Sequence, residues 1–221
     1  MIEHVYRRVS SAQSISGVIV ATDDGRIERA VRAFGGDVRM TSETHPSGTD
    51  RLAEVATSLS CDLVVNVQGD EPLIEPAMID EAVAPFAADP SLAMSTLRRR
   101  LDSAADFHNP NVTKVVVDRE DYALYFSRAP IPFARPDCPP AQAWRHIGLY
   151  VYRRDWLLRL ASLAPTELER SEALEQLRAL DYGIRIKAVE TRYDSVGVDT
   201  TEDLERVRQI FRSGNVPLAM T

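Results

Sequence analysis

The stretch Leu63 to Pro72 reads LVVNVQGDEP, and it decides how the rest of the chain is read. Leu63, Val64, Val65 and Val67 make a near-continuous apolar run, the pattern of a parallel strand covered on both faces. Gln68, Gly69, Asp70, Glu71 and Pro72 follow at once. In open α/β sheets, ligands sit in the crevice beyond the carboxyl ends of the strands. Gly69 lets a ligand approach the backbone, Asp70 offers a hard oxygen to a magnesium ion, and Pro72 closes the strand ahead of a helix. The bland alternative is a strand that ends in a polar turn for turn reasons alone.

Upstream, Ile2, Val5 and Val9 recur at helical spacing, so a helix is expected from residue 1 to about residue 13. Val18 to Ala21 read as a short strand closing on Thr22, Asp23 and Asp24. Ile27, Ala30, Val31 and Phe34 mark a second helix stopped by Gly35-Gly36, and Val38 to Thr41 form another strand. Alternation this tight predicts βαβ units and a parallel sheet. Downstream, Pro76 to Ala88 is an amphipathic helix, and Met94 to Leu97 starts a strand. Lys114 to Asp118 and Ala123 to Ser127 pair as a hairpin. Residues 134–141 are a Pro-rich loop, after which a strand leads into a helix. His146 and Tyr150, four apart in that strand, share a face. Ser162 to Leu180 reads as one helix with Glu172, Glu175 and Gln176 on one side, where a solvated acidic face is the plain alternative. Ile184 to Val189 is a strand, and Thr200-Thr201 with Glu202 and Asp203 opens a last helix.

The 221 residues suit a single α/β domain over residues 1–213 with a flexible tail, 214–221. A net charge of −7 argues against nucleic acid or an anionic membrane as the main partner. No apolar run is long enough for a membrane span, and Cys61 and Cys138 read as free thiols, so the cytoplasm is expected. Lys114 and Lys187 are the only lysines. The dinucleotide GxGxxG and phosphate-loop GxxxxGK[ST] patterns are absent.

Several stretches together resemble the CMP-Kdo synthetase family, the 3-deoxy-manno-octulosonate cytidylyltransferases. VNVQGDEP resembles its metal-binding strand, HPSGTDRLAEVA its HxSGTxRLAE segment, and HNPNVTKVVVDREDYALYFSRAPIPF its FNPNxVKVVxD…GYALYFSRxxIP stretch. RHIGLYVYR is similar to xHIGIYxYR, APTELERSEALEQLRAL to PSxLExxExLEQLRxL, and GVDTTEDLERV to GVDTPEDLERV. The resemblance implies a Rossmann-like nucleotidyltransferase fold. Its mixed, mostly parallel sheet is flanked by helices, and a smaller sheet from residues 107–152 serves contact in a homodimer. It implies cytidylyl transfer from CTP to the sugar acid Kdo with Mg²⁺, for lipopolysaccharide synthesis. Asp70 and Asp199 then hold the metal, and Ser47, Gly48, Thr49, Arg51 and Gln68 lie on the nucleotide side. Arg128, His146, Tyr150, Glu175 and Gln176 line the sugar-acid pocket, with Arg128 and His146 meeting its carboxylate.

Met1 to Val5 resembles the helix that follows the family's first strand and its IPARxxSxRxPGKxL loop, which have no counterpart here. The expectation is that Met1 is an internal methionine and that about two dozen residues, a strand and a phosphate-gripping loop, precede it. The rival expectations are a cytidylyltransferase for a related sugar acid, and a nucleotide-binding or interaction protein that has lost turnover along with the phosphate loop.

Overall fold

The computed structural model describes residues 1–45, 47–138, 141–195, 197–198 and 200–213. Asp199 and the tail 214–221, both singled out above, lie outside them.

Helix α1 (Ile2–Ser10) buries Val5 and Val9. It stops short of the expected end because the Ser10 and Ser11 hydroxyls donate back to the carbonyls of Tyr6 and Arg8, competing with further helix. Strand β1 (Ile19–Thr22), helix α2 (Gly25–Ala33) and strand β2 (Asp37–Met40) follow, with Asp24 capping α2. The glycine stop is steric as well as conformational. Gly35 takes φ 79°, and a Cβ on Gly36 would lie 2.6 Å from the Phe34 ring.

The remaining elements are α3 (Gly48–Thr57), β3 (Leu63–Asn66), α4 (Pro76–Val83), α5 (Pro85–Ala88), β4 (Met94–Arg100), α6 (Ala104–His108), β5 (Lys114–Val117), β6 (Ala123–Ser127) and β7 (Trp144–Arg153). After them come α7 (Arg154–Ala161), α8 (Glu167–Glu172), α9 (Gln176–Asp181), β8 (Ile186–Glu190) and α10 (Thr201–Arg212).

The sheet is mixed, but the expected parallel majority is overturned. Among the described residues only β1 with β2 and β4 with β8 run parallel, while β3–β7, β4–β7, β5–β6 and β5–β7 are antiparallel. An unbroken apolar run signals cover on two faces; it carries no information about strand direction. β3 also differs from expectation in being partly exposed along all four residues, since its ladder partner among the described residues is β7 alone.

The six-stranded sheet runs β6-β5-β7-β4-β8, with β3 beside β5 on the same edge of β7. The hairpin and β7, expected to build a smaller sheet, are therefore part of the large one, and the small sheet is β1 with β2. Asp121 at the hairpin tip takes φ 61° and accepts from the Ala188 N–H at 2.8 Å, so the tip folds over the outer edge of β8.

Two apolar layers sandwich β7. Ile147, Leu149 and Val151 face α1 and α4, whereas Tyr150 and Tyr152 face α3, α7 and α9. Each such fully buried Ile, Leu or Val contributes roughly 1.5–3 kcal/mol.

The helix expected over 162–180 is broken. α8 stops at Glu172, Ala173 adopts the left-handed conformation (φ 51°, ψ 50°), and α9 begins at Gln176. Glu172, Glu175 and Gln176 are thus not one helical face. Burial of Leu174 and two bonds from the Arg128 guanidinium, to the carbonyls of Glu172 and Ala173, offset the strain. Ala173→Gly is expected to hold or raise the urea midpoint, because relief of about 1–2 kcal/mol of left-handed strain outweighs roughly 0.5–1 kcal/mol of added chain entropy. The β-branched Ala173→Val should lower it. Equal losses in both variants would mean that the left-handed turn is not the native one.

Candidate active site

Aromatic side chains form a row on the α3/α9 face of the sheet. Phe126 of β6 lies 5.0 Å from the His146 ring, His146 5.4 Å from Tyr150, and Tyr150 6.0 Å from Tyr152. A β-bulge aims the histidine. Thr96 pairs with Tyr150 and Leu97 with Ile147, which leaves Gly148 and Leu149 without ladder partners on β4. The Thr96 hydroxyl fills the bulge, 2.8 Å from the Leu149 carbonyl and 2.9 Å from His146 Nε2. With its single hydrogen donated to that carbonyl, Thr96 accepts from Nε2–H, an assignment that leaves Nδ1 as a bare acceptor. Desolvation, reinforced by the Arg145 charge, holds the His146 pKa down at about 3. Burial pushes the Tyr150 and Tyr152 hydroxyls up, and the nearby Glu175 charge adds to both. The row is neutral at physiological pH.

Each end of the row carries polar groups. At the Tyr152 end, Thr49 and Asn66 oppose the rise in the tyrosine's pKa, and Thr49 Oγ1 donates to Glu175 Oε2 at 2.8 Å. Gln176 is only 5% exposed, and its Nε2 has no partner among the described residues. At the Phe126 end, Arg128 directs its guanidinium to backbone oxygens: Nε to Glu172 O (2.8 Å), Nη1 to Pro110 O (3.1 Å) and Nη2 to Ala173 O (3.4 Å). The Glu172 carboxylate is taken up by Ser127 Oγ and by the Arg128 backbone N–H. Among the described residues the guanidinium forms no ion pair, so its charge is not neutralised.

β3 leaves β7 at the Asn66–Tyr150 pair, and the chain continues into exposed Gln68 and then Asp70. The Val198 N–H donates to the Asp70 carbonyl at 2.9 Å, and Ser195 Oγ donates to Glu71 Oε2. These contacts bring the segment just before Asp199 against Asp70. Ser47 caps α3, and a Cβ at Gly48 would meet nothing within 4 Å, so the first turn of that helix is open. Thr49 is buried behind it, and Arg51 is committed to Asp23 at 2.6 Å and to the Thr41 hydroxyl. Among the described residues no three His, Cys, Asp or Glu side chains cluster tightly enough to hold a metal by themselves.

The cytidylyltransferase family model matches residues 1–186. The 3-deoxy-manno-octulosonate cytidylyltransferase of Geobacter metallireducens is 57% identical over 94% of this chain and 85% of its own length. That of Geobacter sulfurreducens is 55% identical over 94% and 87%. The chain belongs to the 3-deoxy-manno-octulosonate cytidylyltransferase family. A solved CMP:2-keto-3-deoxy-manno-octonic acid synthetase in complex with CTP is 42% identical and superposes with a TM-score of 0.91, over 96% of this chain and 88% of that one.

Within this cytidylyltransferase chain, sequence reasoning gave no site role to Lys114 or Glu172, which it named, and passed over Thr96, Tyr152 and Ser195. Lys114 carried a signal, a lysine opening the apolar run KVVV, and so did Tyr152, two residues from Tyr150 in a strand. Ser195 had none. It is separated by more than a hundred residues from Glu71, and only folding joins them.

The depressed His146 pKa has a signed consequence. The unfolded chain binds this proton below about pH 6.5 and the native state only near pH 3, so native stability should fall as pH drops between those values. His146→Gln, measured by urea denaturation at pH 7 and pH 5, is expected to lessen that fall. By NMR the wild-type His146 ring should stay neutral from pH 8 to pH 5; titration near pH 6.5 would contradict the desolvated, Thr96-bonded imidazole.

Proposed function

We propose that the chain transfers the cytidylyl group of CTP to a hydroxyl of Kdo and releases pyrophosphate, in the cytoplasm and for lipopolysaccharide synthesis. The observation that carries this is an un-neutralised Arg128 at the end of a neutral aromatic row, in a chain 57% identical to a 3-deoxy-manno-octulosonate cytidylyltransferase.

The sugar acid's carboxylate would pair with the Arg128 guanidinium, which holds unused N–H donors. His146, being neutral, would accept a sugar hydroxyl at Nδ1 and leave the carboxylate to Arg128. Tyr150 and Glu175 would read further hydroxyls, and the unpartnered Gln176 Nε2 would donate to one. The open first turn of α3, from Ser47 and Gly48, would present backbone N–H groups to the nucleotide, with Thr49 and Arg51 bracing it from behind and exposed Gln68 as a further nucleotide contact. In-line attack of the acid's hydroxyl on the α-phosphate needs positioning and charge stabilisation more than covalent help.

The donor set at Asp70 fits magnesium, a hard ion that takes one or two carboxylates and leaves its other positions to phosphates and water. Asp70 would hold it with Asp199, which lies outside the described residues but follows the anchored Val198. When bound, the ion would neutralise charge on the triphosphate.

The chain would work as a homodimer. Leu124 on the edge strand β6 is 62% exposed and Phe133 just beyond it 81% exposed, apolar area suited to a second copy.

Pyrophosphate release from CTP, Kdo and Mg²⁺ tests the reading. Asp70→Asn should lower kcat by about 10²- to 10³-fold, as loss of one preorganised electrostatic group does. Arg128→Gln should raise the KM for Kdo and leave that for CTP unchanged. Preference for a competing sugar acid would reassign the substrate, and metal-dependent CTP binding without turnover would leave a nucleotide-binding protein.

A further inference from the structure

Lys114 opens β5 between Ser127 of β6 and Arg145 of β7, and it is wholly buried. Its three ammonium hydrogens all go to backbone: Nζ lies 2.9 Å from Asn109 O, 2.5 Å from Val112 O and 2.6 Å from Arg128 O. Among the described residues it has no ion-pair partner. Burying a charge this way is costly, and it depresses the lysine's pKa, with Glu172 opposing and Arg128 adding to the effect. Val115, the next residue, is equally buried without any such cost. A lysine at this point therefore calls for a reason beyond filling the core.

The reason lies in what its three carbonyls belong to. Two of them, Asn109 and Val112, bracket Pro110, whose own carbonyl holds Arg128 Nη1. The third is the backbone oxygen of Arg128 itself. Lys114 thus grips the arginine's main chain and, through the 109–112 turn, one of the three oxygens that orient its guanidinium.

We propose that Lys114 is a positioning residue for the sugar-acid site, holding Arg128 and the 109–112 turn in the one arrangement that presents the guanidinium to the substrate carboxylate. This rests on the reading of Arg128 given above. Lys114 touches no substrate. Its two cationic neighbours in the sheet do not substitute for it: Arg145 is paired with Asp194, and Arg128 is the group being held.

Steady-state kinetics of Lys114→Met, Arg128→Gln and the double variant test it. Lys114→Met is expected to raise the KM for Kdo about tenfold or more, with kcat and the KM for CTP little changed. In the Arg128→Gln background the same change should add no further rise, because the group it positions is gone. A Kdo KM that stays at the wild-type value in Lys114→Met, while Arg128→Gln raises it, would overturn the proposal alone. A uniform loss of activity, or an undiminished effect in the double variant, would do the same and mark the lysine as structural. An unchanged Kdo KM in Arg128→Gln would instead remove the reading on which the proposal rests.

Should Lys114→Met not fold, the wild-type protein supplies the test. With only two lysines in the chain, ¹⁵N-lysine labelling yields two side-chain signals, and Lys187→Arg identifies that of Lys114. Kdo should shift the Lys114 signal and CTP should not; no shift with saturating Kdo would overturn the proposal.

Discussion

Strand β7 must satisfy buried backbone groups along both edges, and it does so with three partners. β4 covers one edge from Trp144 to Tyr152 except at the bulge, while β5 takes the Trp144 end and β3 the Arg153 end of the other. That division brings elements distant in sequence to one face: the hairpin with Arg128, the strand that leads to Asp70, and the helices α3 and α9 lying over the tyrosines. The bulge at Gly148 and Leu149 is the local irregularity in this ladder, and it lies where His146 must be turned toward the row.

The charges divide into two kinds. Arg51, Arg98, Arg99 and Arg178 are paired with Asp23, Asp121, Asp194 and Glu169; Arg98 and Arg99 tie loops to the sheet, Arg51 ties α3 to the loop after β1, and Arg178 ties α9 to α8. Arg128 and Lys114 are held by carbonyl oxygens instead. A carbonyl cradle orients a cation without cancelling its charge; Arg153 and Arg154 are held by carbonyls too, but Arg128 is the one beside the aromatic row, where in a chain of net charge −7 it stays receptive to an anion. The neutral imidazole and tyrosines beside it supply hydrogen-bonding atoms that carry no charge of their own.

Much of this was legible in the sequence because it depends on neighbours in the chain. The helix start at Thr200, the Gly35-Gly36 stop, the hairpin around residues 118–122 and the shared face of His146 and Tyr150 all follow from local backbone geometry. Strand direction was not legible, since apolar periodicity reports burial and nothing about the partner strand. The break at Ala173 was hidden too. Alanine and its flanking residues favour helix locally, and the forces that unwind it there, Leu174 burial and the reach of Arg128 from another strand, come from outside the segment.

By itself the sequence determined the alternation of helices and strands, the family and the residue types offered to a sugar acid and a nucleotide, because periodicity, turn chemistry and motif spelling are written along the chain. Only the tertiary structure decided which charges stay free. Whether an arginine meets a carboxylate or a carbonyl, and whether a histidine keeps its proton, depends on groups supplied by other strands and on how far water is excluded. Arg51 and Arg128 show this. Both sit in conspicuous motifs, yet Asp23 neutralises the first across the fold, while the turn at Pro110 and the kink at Ala173 leave the second charged and aimed.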